Sequence, residues 1–137
     1  MSRKNAPVAP KAARGRLKEI RVEFGMFENA ILCIVGPRAD VAVYVEWKHE
    51  RPVAPFWSET PSLGSTFYRH GYKPIVWVPR RPRTPRELGT LAHELLHAIR
   101  WLMQEWASID FTNETQEVYC HALGFCMAEV LTKLGAR

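Results

Sequence analysis

The chain has 137 residues, of which 47% are hydrophobic and 11% aromatic, and its formal net charge is +5. This length supports one compact core and is too short for two ordinary domains, so any active site has to form within a single unit. The composition excludes a disordered chain. The longest apolar run beyond the N-terminal segment, residues 30–35, is far too short to be a membrane-spanning helix.

The positive charge is concentrated in residues 1–18, which hold six lysines and arginines and no acidic residue. The rest of the chain carries 13 basic and 14 acidic residues and is therefore almost neutral. This N-terminal segment is rich in Ala and Pro and lacks the apolar stretch of a signal peptide. We expect residues 1–18 to form a disordered basic tail, and residues 19–137 to form one domain of a cytoplasmic protein.

Three short segments rich in β-branched and aromatic residues follow the tail, at residues 19–26, 30–35 and 41–47. Such residues favour β-strands, and the turn-like GPRAD at residues 36–40 separates the second segment from the third. The pattern predicts an antiparallel meander of three strands.

A loop and a hairpin are expected next. Residues 48–65 are dense in Pro, Ser and Gly and show no periodicity, which predicts a long loop. Residues 65–70 and 74–78 flank a turn at Gly71 and predict two further strands.

The sequence TPRE at residues 84–87 signals the start of a helix. Thr84 can cap the helix, Pro85 suits the first helical position, and Glu87 completes a capping box. Apolar residues then recur at spacings of three and four and predict one buried stripe, made of Leu88, Leu91, Leu95, Ile99 and Leu102.

A second helix is predicted from about Glu114 to Leu134, with Thr112 or Asn113 as its N-cap. The three cysteines form no CxxC pair, which is typical of free thiols in a reducing compartment. We expect all of them to be buried: Cys33, Cys120 and Cys126.

Residues 93–97 read HELLH, in the middle of the first predicted helix and off its apolar stripe. Residues four apart project from one face of a helix, so His93 and His97 can converge on one tetrahedral zinc ion. Glu94 is displaced around the helix and can act as general base on a water molecule that attacks a peptide carbonyl. The motif predicts zinc-dependent peptide hydrolysis. The alternative is an amphipathic helix whose exposed surface happens to carry these residues.

A catalytic zinc normally has three protein ligands, and the second predicted helix offers Glu114, Glu117 and His121. A helix that returns antiparallel would regain the level of His97 between residues 117 and 121. We therefore predict Glu117 as the third ligand, with His121 and Glu114 as alternatives. Hydrogen-bond donors to the tetrahedral intermediate are expected among four side chains, Tyr68, His70, Tyr72 and Tyr119.

HELLH followed by a helix that carries Glu117 resembles the gluzincin branch of the zincin metallopeptidases, in the compact form found in phage and prophage proteins. The specific match covers residues 84–130. The resemblance implies Zn²⁺ at His93, His97 and Glu117, with Glu94 as general base. It also implies an α+β fold in which an antiparallel sheet packs against the HExxH helix and a C-terminal helix. Its edge strand, expected at Ile75–Val78, would pair with an extended polypeptide substrate in the host cytoplasm or on the virion.

Two other functions fit the same residues. Zinc could join two helices of a non-catalytic phage structural or assembly protein, in which case His121 would close the site as a fourth ligand. SprT-like zinc proteases, which act on DNA-bound proteins, share an HExxH helix, and the basic tail could add a weak electrostatic contact with nucleic acid.

Overall fold

The computed structural model describes residues 16–24, 29–53, 57 and 63–135. Within these ranges the chain has an α+β fold made of a four-stranded mixed sheet and three helices. The strands are β1 (Lys18–Phe24), β2 (Asn29–Val35), β3 (Ser65–Phe67) and β4 (Ile75–Val78). The helices are α1 (Arg38–His49), α2 (Pro85–Ala107) and α3 (Gln116–Lys133).

The sheet has the strand order β1-β2-β4-β3. β1 pairs antiparallel with β2, and β3 pairs antiparallel with β4, which confirms the predicted hairpin. β2 and β4 are parallel, with Cys33 opposite Val76, so the expectation of a fully antiparallel sheet is wrong. The expectation that Ile75–Val78 is an edge strand is also wrong, because β4 lies inside the sheet and its edge strands are β1 and β3.

The third predicted strand, residues 41–47, is part of helix α1. Val41, Tyr44 and Val45 recur at spacings of three and four and are buried on one side of this helix, whereas Val43 is 41% exposed. This helical stripe outweighs the β propensity of the individual side chains. The helix lies on the connection between β2 and β4, and such a crossover is what parallel strands require.

The sheet separates the core into two layers, because successive side chains of a strand point to opposite faces. One face packs against α1 through Leu32, Ile34, Ile75 and Trp77. The opposite face packs against α2 and α3 through Ile31, Cys33, Val76 and Val78. Helix α2 contacts β3 and β4, whereas α3 contacts β1. The HELLH helix therefore lies beside the β3 edge of the sheet.

Helix α2 begins at Pro85, as the TPRE signal predicts. Thr84 Oγ1 accepts a hydrogen bond from the Glu87 backbone N–H at 3.1 Å. The Glu87 carboxylate accepts a hydrogen bond from Arg80 Nε at 2.7 Å, and this bond is the main cause of the lowered pKa of Glu87. The predicted apolar stripe is confirmed, since Leu91, Leu95, Ile99 and Leu102 are buried and Leu88 is half-buried.

Helix α3 begins at Gln116, with Thr115 as its N-cap residue instead of Thr112 or Asn113. Thr112 and Thr115 each donate a backbone N–H to the other's hydroxyl, at 2.8 Å and 3.3 Å, so this pair forms its own turn before the helix. Glu114 therefore precedes the helix. The buried side of α3 carries Tyr119, Ala122, Cys126 and Val130.

The end of the expected basic tail belongs to the fold. Leu17 is buried, Arg16 Nη2 lies 2.6 Å from the Asp40 carboxylate, and β1 begins at Lys18. Residues 16–18 therefore contact or form part of the sheet domain, and residues 1–15, the rest of the predicted tail, lie outside the described residues. None of the helices in the described ranges is long and apolar enough to cross a membrane.

Two of the three cysteines are buried as expected, Cys33 and Cys126. Burial raises the pKa of each of these thiols to about 12, so both are protonated near neutral pH. Cys120 is exposed on α3, contrary to the expectation.

Candidate active site

His93 and His97 lie on the outward side of α2, one helical turn apart. Their Nε2 atoms are 3.1 Å apart, and their ring centroids are separated by 4.7 Å. Two nitrogen ligands of a tetrahedral zinc ion, at Zn–N distances of 2.0–2.1 Å, lie roughly 3.3 Å apart. The two imidazoles therefore present nitrogen atoms at nearly the spacing that the metal requires. A hydrogen bond between two neutral imidazole rings has a similar length, so this distance alone does not distinguish a zinc site from two paired surface histidines. The position of Glu94 separates these two interpretations better.

Glu94 turns from the histidine face towards the sheet. Its side chain is only 13% exposed, whereas that of His93 is 67% exposed. Thr66 Oγ1, on the edge strand β3, lies 2.5 Å from Glu94 Oε2 and 3.0 Å from the Glu94 carbonyl oxygen, and its one hydrogen is donated over the shorter contact, to the carboxylate. The second carboxylate oxygen, Oε1, lies 4.0 Å from His93 Nε2. One oxygen is thus held by β3, and the other lies on the side of the carboxylate nearer His93.

Gly64 allows α2 to approach the segment before β3 this closely. A Cβ atom at residue 64 would lie 3.0 Å from Thr90 Cγ2, 3.1 Å from the Trp77 carbonyl oxygen and 3.2 Å from Glu94 Cγ. These distances are tighter than ordinary contacts, and one of them is to backbone. Gly64 and Thr66 are therefore site residues that the sequence reasoning missed.

A cleft of about 730 Å³ runs along β3. Thr66, Tyr68, Glu94 and His97 line the part of this cleft that faces α2. A volume of this size is typical of a binding site for a small molecule or several residues of a peptide. The HELLH motif therefore lies beside a space that a substrate can occupy.

Tyr68 is the predicted hydrogen-bond donor that lines this cleft. Its ring stacks on Trp101, with centroids 6.0 Å apart and planes inclined by 23°. Burial, reinforced by the charge of Glu94, raises the pKa of Tyr68 to about 12. The phenol is protonated at neutral pH, and its hydroxyl also has a side-chain hydrogen bond with Thr66, so its hydrogen can be donated to Thr66 or to a substrate oxygen.

The other three predicted donors have partners elsewhere. His70, 90% exposed, lies 3.6 Å from Glu105. The Tyr72 hydroxyl donates to Glu50 at 2.7 Å. Tyr119 is buried, and its hydroxyl donates to the Ile109 carbonyl oxygen at 2.5 Å.

The predicted third ligand, Glu117, lies on α3. Its Oε2 atom is 3.6 Å from His121 Nε2, and the two side chains are 78% and 84% exposed. Both residues are two positions from buried Tyr119 and so project from the opposite side of the helix. Within the part of the chain that the structure describes, no group of three or more His, Cys, Asp or Glu side chains is arranged to hold a metal ion.

The structure thus brings His93, Glu94 and His97 together and leaves Glu117 paired with His121. The two imidazoles fit two positions of a zinc site. The third ligand stays a prediction, with Glu117 first and Glu114 and His121 as alternatives. Comparison of the chain with known protein families, curated proteins and solved structures finds no match.

Proposed function

We propose that this protein is a zinc-dependent peptidase of the HExxH type. The observation that supports this function best is the position of Glu94, whose carboxylate is nearly buried and bonded to the edge strand beside a cleft. A charged side chain is costly to bury, and Glu94 is held beside the cleft by Thr66 with its other oxygen 4.0 Å from His93 Nε2. The neighbouring imidazoles converge at 3.1 Å, as zinc ligands would.

In this proposal His93 and His97 hold the metal, and Glu117 is the predicted third ligand. Zinc at such a site supplies two effects, a lowered pKa of a bound water and polarisation of the substrate carbonyl. Glu94 Oε1, 4.0 Å from His93 Nε2, accepts the proton of the attacking water. The same carboxylate then returns the proton to the leaving amine.

The remaining site residues orient Glu94 and the substrate and stabilise the negative charge that develops during attack. Thr66 holds Glu94 Oε2 by a hydrogen bond, which leaves Oε1 to accept the proton of the attacking water molecule. The protonated phenol of Tyr68 donates a hydrogen bond to the oxygen that becomes negatively charged during attack. No described strand pairs with the outer edge of β3, and an extended polypeptide can add to this edge as a further strand.

The direct test of the function uses the purified protein. We expect about one zinc ion per chain by elemental analysis. We also expect digestion of denatured casein, lost on treatment with a zinc chelator and regained on adding zinc. A protein that binds no metal at micromolar zinc contradicts the proposal. A protein that holds zinc and loses thermal stability with the chelator, but never cleaves casein, has a structural zinc site instead.

Thr66→Val is expected to slow hydrolysis about tenfold, because a hydrogen bond to a charged group is worth about 1.5 kcal/mol or more. Valine keeps the shape of threonine and removes the donor to Glu94. Casein digestion measures the effect on rate, and elemental analysis should show unchanged zinc. Thr66→Ser restores the hydroxyl and should restore most of the rate. Equal rates for the valine and serine variants would show that Thr66 does not position Glu94.

A further inference from the structure

The side chains of the edge strand alternate between the two faces of the sheet. Ser65 and Phe67 point to the α1 face, where Trp57 Nε1 donates to Ser65 Oγ at 3.1 Å and the Trp57 and Phe67 rings lie 5.4 Å apart. Thr66 and Tyr68 point to the α2 face, where they contact Glu94 and Trp101. The cleft is lined by residues from both sets, so it extends around the strand edge from one face to the other.

The α1-face half of the cleft has an apolar wall, formed by Val45, Val53, Trp57 and Phe67. Trp57 is fixed within this wall by contacts on several sides. Its ring lies 5.7 Å from that of Trp77, and the Arg38 guanidinium sits 4.9 Å from its centroid. Arg38 also donates a hydrogen bond to the Trp57 carbonyl oxygen. The wall is therefore formed before a ligand binds, which favours affinity for an apolar group.

The polar residues of this half select against a cationic side chain. Arg51 lines the cleft, and its Nη2 atom donates to the Tyr68 carbonyl oxygen at 2.5 Å. His49 is buried, and its Nε2 atom lies 2.7 Å from the Lys73 carbonyl oxygen. A lysine side chain entering here would meet the Arg51 guanidinium, and none of the described residues that line this half of the cleft is acidic.

We propose that the α1-face half of the cleft is a binding site for a bulky apolar side chain of an extended peptide that pairs with β3. The peptide nature of the ligand rests on the proposed peptidase function. Adjacent residues of a strand point to opposite faces, so a residue that faces Glu94 has a sequence neighbour that faces this wall. The site would select phenylalanine or leucine at that neighbouring position.

Four blocked heptapeptides of threonine, with a central Phe, Leu, Gly or Lys, test the site. They are titrated into Glu94→Gln protein labelled with ¹⁵N at tryptophan, so that no peptide is cleaved during the measurement. The indole signal of Trp57 is assigned by its loss in Trp57→Phe. The Phe and Leu peptides should shift this signal and bind about tenfold or more tightly than the Gly and Lys peptides, because they bury a large apolar side chain.

A pair of matched variants locates the binding. Val53→Arg places a charge on the wall, whereas Val43→Arg makes the same change at an exposed position of α1 that does not line the cleft. Only Val53→Arg should abolish the preference for the Phe and Leu peptides. Thermal unfolding confirms that both variants fold. If Val53→Arg does not fold, Val53→Thr, which keeps the shape, should weaken the preference in the same direction.

Equal binding of all four peptides, no binding of any, or an unmoved Trp57 signal would overturn the inference. So would equal losses in the two arginine variants. Preference for Phe and Leu in a protein that holds no zinc and cleaves nothing would keep the site and overturn the peptidase function. Cleavage of casein without this preference would keep the peptidase function and overturn the site.

Discussion

Glu94→Gln is expected to reduce peptide hydrolysis by roughly 10² to 10⁴-fold, the range that a general base contributes, while zinc stays bound. The amide has the shape of the carboxylate, and its oxygen can still accept the hydrogen bond from Thr66. It cannot take a proton from water at neutral pH. Rates on denatured casein and zinc content by elemental analysis measure the two halves of this prediction.

Glu105→Gln is the matched control. Glu105 lies on the same helix, is 46% exposed and pairs with His70, so its substitution should leave both the rate and the zinc content unchanged. Full activity in Glu94→Gln would remove Glu94 from the mechanism. Loss of zinc in Glu94→Gln would make this residue a ligand and not a base.

His93→Ala and His97→Ala are each expected to lower the zinc content from about one ion per chain towards zero, because each removes one of the three proposed protein ligands. Hydrolysis should be lost together with the metal. Both side chains are exposed, so the variants should fold normally. His70→Ala, at a histidine that is 90% exposed and lies outside the site, is the control and should keep its zinc. Zinc retained by either site variant would contradict the ligand assignment.

Zinc content, measured by elemental analysis, also identifies the third ligand. Glu114→Gln, Glu117→Gln and His121→Ala change exposed side chains, so any loss of zinc in these variants reports on coordination and not on folding. We expect Glu117→Gln to weaken zinc binding most. A larger loss in His121→Ala, with Glu117→Gln unaffected, would transfer the third position to His121.

Local signals in the sequence predict the HELLH helix well. Thr84 and Pro85 act within one turn, and the spacing of Leu91, Leu95 and Ile99 reflects the period of a helix that packs on one side. Helix α1 shows where such reasoning fails. Its Val41, Tyr44 and Val45 follow the helical period, but the β-branched composition favoured a strand. A strand at residues 41–47 would leave no helical crossover between β2 and β4, and parallel strands require such a crossover, so the composition does not predict their parallel pairing.

The sequence likewise predicts one part of the candidate site and not the other. The convergence of His93 and His97 follows from their spacing on one helix. The support for Glu94 comes from Gly64 and Thr66, almost thirty residues earlier, and only the packing of β3 against α2 brings them together. The third ligand depends on how α3 is rotated relative to α2, and the number of residues between the helices does not determine this rotation.

The most direct measurement is X-ray diffraction at the zinc absorption edge, from crystals grown with micromolar zinc. We predict one anomalous peak about 2.0–2.1 Å from the Nε2 atoms of both His93 and His97, with a third protein ligand and one open position facing Glu94. Absence of a peak at these histidines would contradict a zinc peptidase. A peak enclosed by four protein side chains would contradict catalysis, because structural zinc sites are closed in this way.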